Sequence, residues 1–356
     1  DDLASITLPD ALHTVVVTGN SPDLTAAGLP ERIEVISWGD FIANVAGDDI
    51  DPVGDATWSD PALCCFTSGT TGMSKGVVLS HQYLLRFAEQ WVDVLNIQPG
   101  DVMFTGLPSY HLSGSLCSVL APLVGRARGV LDKVFSVSQF WARAHDVGAT
   151  HTLLLGGMLQ MLWNQETTNL EQTNPLRYIF AAPVPEDIHL PIEERFGVKI
   201  ITGYGLSEAG CAVLTRWDEP ARPGWSGKAS ETCSVAILDQ NDLPCAAGDV
   251  GEICVRPTEP HAIFEGYFGD DVATRQVMRN LWFHTGDLGI MDEDGYLRFV
   301  DRHKDYLRRR GENISSVEVE LAILAHDLVA EVAVIGVPSE LSEDEVKACV
   351  VLRPGS

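Results

Sequence analysis

The stretch Thr67-Ser68-Gly69-Thr70-Thr71-Gly72-Met73-Ser74-Lys75-Gly76 concentrates hydroxyls, glycines and one lysine between two apolar runs, residues 62–66 and 77–79. Glycines let a backbone turn tightly and come close to a ligand. Backbone N–H groups and hydroxyls can then hold phosphate oxygens, and a lysine adds a point charge. The stretch therefore reads as a phosphate-gripping loop between two strands. Taken alone, it is equally what a plain turn looks like. It is not the common P-loop pattern, because Gly76 follows Lys75 where a hydroxyl would hold magnesium.

Three further groups carry residue types suited to polar chemistry. Tyr204-Gly205-Leu206-Ser207-Glu208 offers a hydroxyl and a carboxylate, and Thr285-Gly286-Asp287 a second carboxylate. Asp301-Arg302-His303-Lys304-Asp305 is followed by Arg310-Gly311-Glu312-Asn313. Each has an ordinary reading too. Lys75 and Lys304 can be surface lysines, Glu208 a helix N-terminal acid and Tyr204 a core tyrosine. Asp287 can be a turn aspartate, Arg302 one half of a surface ion pair and His111 a structural histidine. A dinucleotide fingerprint starting at Gly203 fails, because position 208 is Glu.

The elements that must position these residues are legible in outline. Residues 10–38 hold short apolar runs that predict strands of an α/β layer. Leu84, Phe87, Ala88, Trp91, Val92 and Leu95 recur at helical spacing, and Pro99-Gly100-Asp101 ends that helix. Strands are predicted at 102–104 and 152–155, with helix from Phe140 to His145 between them. This alternation predicts a layered α/β domain. From about residue 233, short strands separated by turn signals predict a β-rich subdomain, about 230–302. A helix at 316–326 and strands at 332–337 and 346–352 predict a further small unit.

Composition narrows the function classes. Of 356 residues, 45% are hydrophobic and 21% charged, which supports a real core. The net charge of −26 opposes non-specific binding to nucleic acid or anionic membrane. An anionic substrate therefore needs a locally favourable site. None of the eight cysteines forms a C-x-x-C pair, so buried free thiols in a reducing cytoplasm are expected rather than zinc or disulfides. No segment is long and apolar enough for a membrane span. The first residues, Asp1-Asp2-Leu3, lack an initiator Met, so the chain is expected to begin inside a larger protein.

Together the four motifs resemble the adenylate-forming (AMP-binding) superfamily: acyl-CoA synthetases, adenylation domains of peptide synthetases and firefly luciferase. The resemblance runs from about Ser59 to Val351. Within the superfamily, Asp301-Arg302 and the segment from Arg308 to Ser315 most resemble crotonobetaine/carnitine-CoA ligases and their relatives. The resemblance implies a large α/β domain with parallel-type sheets (1–302, its N-terminal part missing). The start of a small, incomplete α+β C-terminal domain (303–356) follows.

The implied activity is an ATP-dependent acyl-CoA ligase. It activates a small carboxylic acid as an acyl-adenylate and then forms the thioester with coenzyme A. An adenylation domain loading a carrier protein, or a non-catalytic nucleotide- or acyl-binding module, are the alternatives. Thr67, Ser68, Gly69, Thr70, Thr71, Gly72 and Lys75 would hold the ATP phosphates, and Lys75 would also support the leaving pyrophosphate. Ser207 would touch the α-phosphate and Glu208 would bind Mg²⁺. Tyr204, Ala182 and Pro183 would lie at adenine, and Asp287 and Arg302 at ribose. His111, Gly156, Gly203 and Gly205 would line the substrate pocket, and Lys304 would be the hinge between the domains. Room is left for a homodimer.

The chain departs from the family pattern in three places. Ser74 stands for a proline, Ser207 for a threonine and Ala181 for a glycine. The family's adenylation lysine lies beyond Ser356, so nucleotide binding with weak or absent adenylation is expected of these 356 residues. A trimethylammonium substrate would favour an aromatic cage. Trp91 and Trp141 fall on predicted core faces, so no cage is assigned.

Overall fold

Alternating and helical apolar rhythms build the elements seen in the computed structural model. It describes residues 14–17, 34–37, 40, 43, 54–67, 74–302, 307–309, 312–314, 316–324, 326, 328–338 and 344–353. The chain separates into two units, Asp1–Ala56 and Thr57–Ser356. In the first, β1 (Thr14–Val17) and β2 (Glu34–Ser37) pair in parallel.

The second unit opens with an antiparallel pair, β3 (Pro61–Thr67) and β4 (Lys75–Ser80). Ser80 ends β4 and caps α1 (His81–Val94), its hydroxyl accepting from Tyr83 N at 3.2 Å. Such a cap contributes about 1 kcal/mol. Tyr83, Phe87, Ala88, Trp91 and Val94 form the buried face of α1, close to the stripe predicted from spacing.

A five-stranded parallel sheet follows. Its strands are β5 (Val102–Thr105), β6 (Arg128–Leu131), β7 (His151–Leu155), β8 (Tyr178–Ala182) and β9 (Lys199–Ile201), in the order β6-β5-β7-β8-β9. Parallel neighbours need crossovers, and helices supply them. These include α2 (Phe140–Val147), α3 (Gly156–Trp163) and α4 (Glu186–Phe196). β7 is buried along its first four residues, as a strand covered on both faces should be.

Beyond the sheet, β10 (Gly203–Leu206), β11 (Gly210–Leu214) and β12 (Lys228–Ala229) form an antiparallel group. β13 (Cys233–Leu238) and β14 (Gly251–Pro257) begin a further antiparallel sheet. The short β15 (Gly266–Tyr267) leaves that sheet and pairs with β4 instead. After α5 (Asp271–Val277), the sheet resumes with β16 (Met278–Arg279), β17 (Trp282–Met291) and β18 (Leu297–Arg302).

The remaining elements are the hairpin β19 (Leu307–Arg309) and β20 (Glu312–Ile314), the helix α6 (Ser316–Leu324), and the hairpin β21 (Val329–Pro338) and β22 (Asp344–Leu352). The buried Asp301 carboxylate accepts from Ser316 N at 2.6 Å, which ties the start of α6 to β18. This is the mixed α/β architecture expected from the sequence. No helix among the described residues is long and apolar enough to cross a membrane.

Candidate functional site

Ser207, Glu208 and Ala209 form the turn between β10 and β11, where Leu206 pairs with Gly210. Gly210 takes φ +60°, the left-handed conformation that closes a three-residue hairpin loop. A Cβ on Gly205 would lie 2.1 Å from Gly210 O, so only glycine lets the two strands meet there. Glu208 therefore sits in a tight hairpin turn rather than at a helix start, and it is only 8% exposed.

Three hydrogen bonds hold this turn. Tyr83 OH donates to Ser207 O at 2.9 Å, and Phe264 N to Glu208 O at 2.7 Å. Tyr267 OH donates to Glu208 Oε1 at 2.8 Å. Tyr267 reaches this position because β15 is hydrogen-bonded to β4, with Tyr267 opposite Val77. The half-buried Lys75 starts β4, and its Nζ lies 4.8 Å from the Tyr267 ring centre. Lys75, Tyr267 and Glu208 thus form one line of contacts. Burial first, then the Glu208 charge, push the Tyr267 phenol up, so it stays a hydrogen-bond donor at neutral pH.

Alternation along β10 separates two functions. Gly203 and Gly205 line a cavity of about 250 Å³. Tyr204 between them has its ring stacked on Phe299, with centroids 6.0 Å apart. Its hydroxyl donates to Asp287 Oδ2 at 2.7 Å. Burial and then the Asp287 charge hold this phenol well above its ordinary value. Each motif carboxylate, Glu208 and Asp287, therefore receives a neutral tyrosine hydroxyl.

Asp287 is on β17, where its cross-strand partner is Arg302 of β18. The strand residues before it are held by side chains of β14 and of β17 itself. Glu252 Oε1 accepts from Gly286 N at 3.0 Å, and Glu252 Oε2 lies 2.8 Å from Nδ1 of the buried His284. Thr285 Oγ1 donates to Ile253 O at 2.7 Å and accepts from Asp287 N at 3.1 Å. Glu252, Cys254 and His284 have ligand-type atoms within 4.8 Å of one another. However, Arg279 Nη2 is already 2.8 Å from His284 Nδ1, so a fixed cation serves this group.

The remaining predicted residues divide as follows. His111, Ala182 and Ser207 line the same cavity as Gly203 and Gly205. Gly156 does not line it. A Cβ there would lie 2.2 Å from Pro183 O, so Gly156 lets α3 approach the Ala182-Pro183 segment. Thr67 ends β3 opposite Lys75, so the glycine-rich stretch closes a β-hairpin, as read from its flanking runs. Ser68, Gly69, Thr70, Thr71, Gly72 and Lys304, the expected hinge residue, lie outside the described residues. A larger open cleft of about 560 Å³ has Arg86 and Arg216 on its wall, both held in ion pairs, and contains none of the motif residues.

Residues 7–268 match the family model for the AMP-binding enzyme, and residues 318–356 that for the AMP-binding enzyme C-terminal domain. A crotonobetaine/carnitine–CoA ligase from Escherichia coli is 34% identical over 308 residues, which is 83% of this chain. The chain belongs to the AMP-binding enzyme family. It spans 58% of the length of that relative. Among solved structures, ATP-bound MatB from Rhodopseudomonas palustris superposes with a TM-score of 0.81 at 26% identity, covering 97% of this chain and 70% of that one. The o-succinylbenzoate coenzyme A synthetase MenE from Bacillus subtilis, in complex with ATP and magnesium ion, gives a TM-score of 0.77 at 26% identity, covering 95% and 69%.

Sequence reasoning on this AMP-binding enzyme did not find Tyr267, Glu252 or His284. Tyr267 lies in Gly266-Tyr267-Phe268-Gly269, which reads as an ordinary turn, and its partner Glu208 is 59 residues away. Glu252 could have been suspected, because it is an acid in the otherwise apolar run of β14.

Proposed function

We propose that the protein is an ATP-dependent acyl-CoA ligase. It activates a carboxylic acid as an acyl-adenylate with release of pyrophosphate, then forms the coenzyme A thioester. The single observation that carries this reading is the pair of phenol-supported carboxylates: Glu208, next to Ser207 of the cavity wall, and Asp287 on β17. Buried acids are costly unless paired or ligating. Glu208 is buried in the β10–β11 turn and Asp287 is half-buried on β17, and each accepts a tyrosine hydroxyl.

In this reading Thr67, Ser68, Gly69, Thr70, Thr71, Gly72 and Lys75 grip the β- and γ-phosphates, and Ser207 meets the α-phosphate. Asp287 and Arg302 hold the ribose, while Tyr204, Ala182 and Pro183 border the base. Glu208 fits Mg²⁺. Its Oε1 is oriented by Tyr267, its Oε2 makes no hydrogen bond among the described residues, and a carboxylate is a hard oxygen donor. When bound, the metal neutralises charge on the phosphates. His111, Gly203 and Gly205 border the acyl group, with Gly156 holding the wall behind Pro183.

Residues 1–302 serve as the nucleotide-binding domain. Residues 303–356 belong to a smaller C-terminal domain that swings about Lys304. The separate C-terminal family match over residues 318–356 supports this division. A cytoplasmic setting suits ATP, coenzyme A and the eight free cysteines.

The test is AMP release by the protein with Mg·ATP and a panel of carboxylic acids, with and without coenzyme A. ATP binding is expected, with any AMP formation dependent on both an acid and coenzyme A. Failure to bind or consume ATP under any condition contradicts the proposal.

A further inference from the structure

The described wall of the 250 Å³ cavity contains no Asp, Glu, Lys or Arg. The polar members of the wall are Ser113, Ser207, His111, the Trp91 indole N–H and two thiols, Cys117 and Cys211. His111 is exposed, at the open end. Burial raises both thiols, Cys211 to about 12, so they stay neutral. A charged group carried into this space would lose its water and find no counter-charge, which is strongly unfavourable.

A cation could still be held by converging aromatic faces. Three aromatic rings border the cavity, but they are packed on one another. Phe87 stacks on Trp91 with centroids 5.9 Å apart, and Trp91 meets Phe180 at 4.5 Å. Trp91 is 1% exposed. These rings form a wall rather than a cage. An apolar cavity of about 150 Å³ accepts benzene. The present 250 Å³ therefore holds a ring with a few further atoms, or a short branched chain.

We propose that the acyl pocket selects carboxylic acids whose remainder is uncharged, apolar and of about one ring's bulk, and rejects acids bearing a second carboxylate or a quaternary ammonium. This rests on the reading of the cavity as the acyl end of an adenylate site. The pocket thus differs in preference from a betaine-type ligase, although the chain is 34% identical to a crotonobetaine/carnitine–CoA ligase.

The test is calorimetric titration of the chain with AMP and with non-hydrolysable acyl-sulfamoyl adenosines carrying benzoyl, malonyl, carnitinyl or dodecanoyl groups. The benzoyl analogue is expected to bind at least tenfold tighter than AMP. The other three are expected to gain little or nothing over AMP. A malonyl or carnitinyl analogue that gains as much as the benzoyl one overturns the selectivity while leaving the adenylate site standing. Absence of binding by AMP and by every analogue removes the site reading, and the proposal with it. Cys211→Phe, which fills part of the cavity, is expected to abolish most of the benzoyl gain over AMP. An undiminished gain in that variant places the acyl group elsewhere and overturns the proposal.

Discussion

Tyr267 and Tyr204 do matching work on two carboxylates, and removing one hydroxyl isolates that work. Tyr267→Phe leaves Glu208 Oε1 buried without its donor. A hydrogen bond to a charged group contributes about 1.5–3 kcal/mol. Affinity for Mg·ATP is therefore expected to fall roughly tenfold or more by calorimetry, with the fold retained. The same phenols set an alkaline limit. Tyr83, Tyr204 and Tyr267 all have pKa values raised by burial above the ordinary value. The unfolded chain releases these protons first as pH passes about 10. Their contribution to stability is therefore complete below that pH and is lost as pH rises above it. Thermal melts from pH 8 to 11 are expected to show a Tm that is flat and then declines beyond about pH 10.

At the scale of elements, the β10–β11 hairpin is the part that aims Ser207 and Glu208. Gly205→Ala places a methyl on Gly210 O, which backbone movement alone can relieve. A loss of about 1–3 kcal/mol in stability is expected. Nucleotide affinity should weaken with it, because the turn carrying Glu208 moves. Denaturant unfolding and ATP titration measure the two effects.

Elements also mark what was legible in the sequence. The stripe of α1 was readable because Phe87, Ala88 and Trp91 repeat at helical spacing. The β3–β4 hairpin was readable because its apolar runs flank a turn-forming stretch. The site motifs were readable because each is local: Ser207 and Glu208 share one turn, and Thr285, Gly286 and Asp287 are consecutive on β17. The supports were not readable, because they arise from long-range pairing. Tyr204 meets Asp287 across 83 residues, and Tyr267 meets Glu208 only because β15 crosses to β4. No periodicity encodes that crossing. Gly156 was read as pocket lining from its small size, whereas the structure uses that smallness for a helix-to-backbone contact.

For the whole molecule, the net charge of −26 and the uncharged cavity divide the labour. The net charge discourages polyanions in general, so the proposed phosphate site needs local positive charge, which Lys75 supplies in this reading. The cysteines report on the same division between surface and core. Cys64 and Cys349 are exposed, while Cys65, Cys117, Cys233 and Cys254 are buried. Thiolates, not thiols, react with alkylating reagents. Brief iodoacetamide treatment of the folded chain at pH 8 is expected to label Cys64 and Cys349 and to spare Cys117 and Cys254, as read by peptide mass spectrometry.

The central claim is that Glu208, held in the hairpin turn by Tyr267, is the metal-binding acid of an adenylate site. The most direct measurement is the ATP affinity of the chain with and without Mg²⁺, compared between wild type and Glu208→Gln. Mg²⁺ is expected to tighten ATP binding at least tenfold in the wild type and to change it barely in the variant, with both proteins folded by circular dichroism. An equal Mg²⁺ effect in the two proteins, or no ATP binding by the wild type, would contradict it.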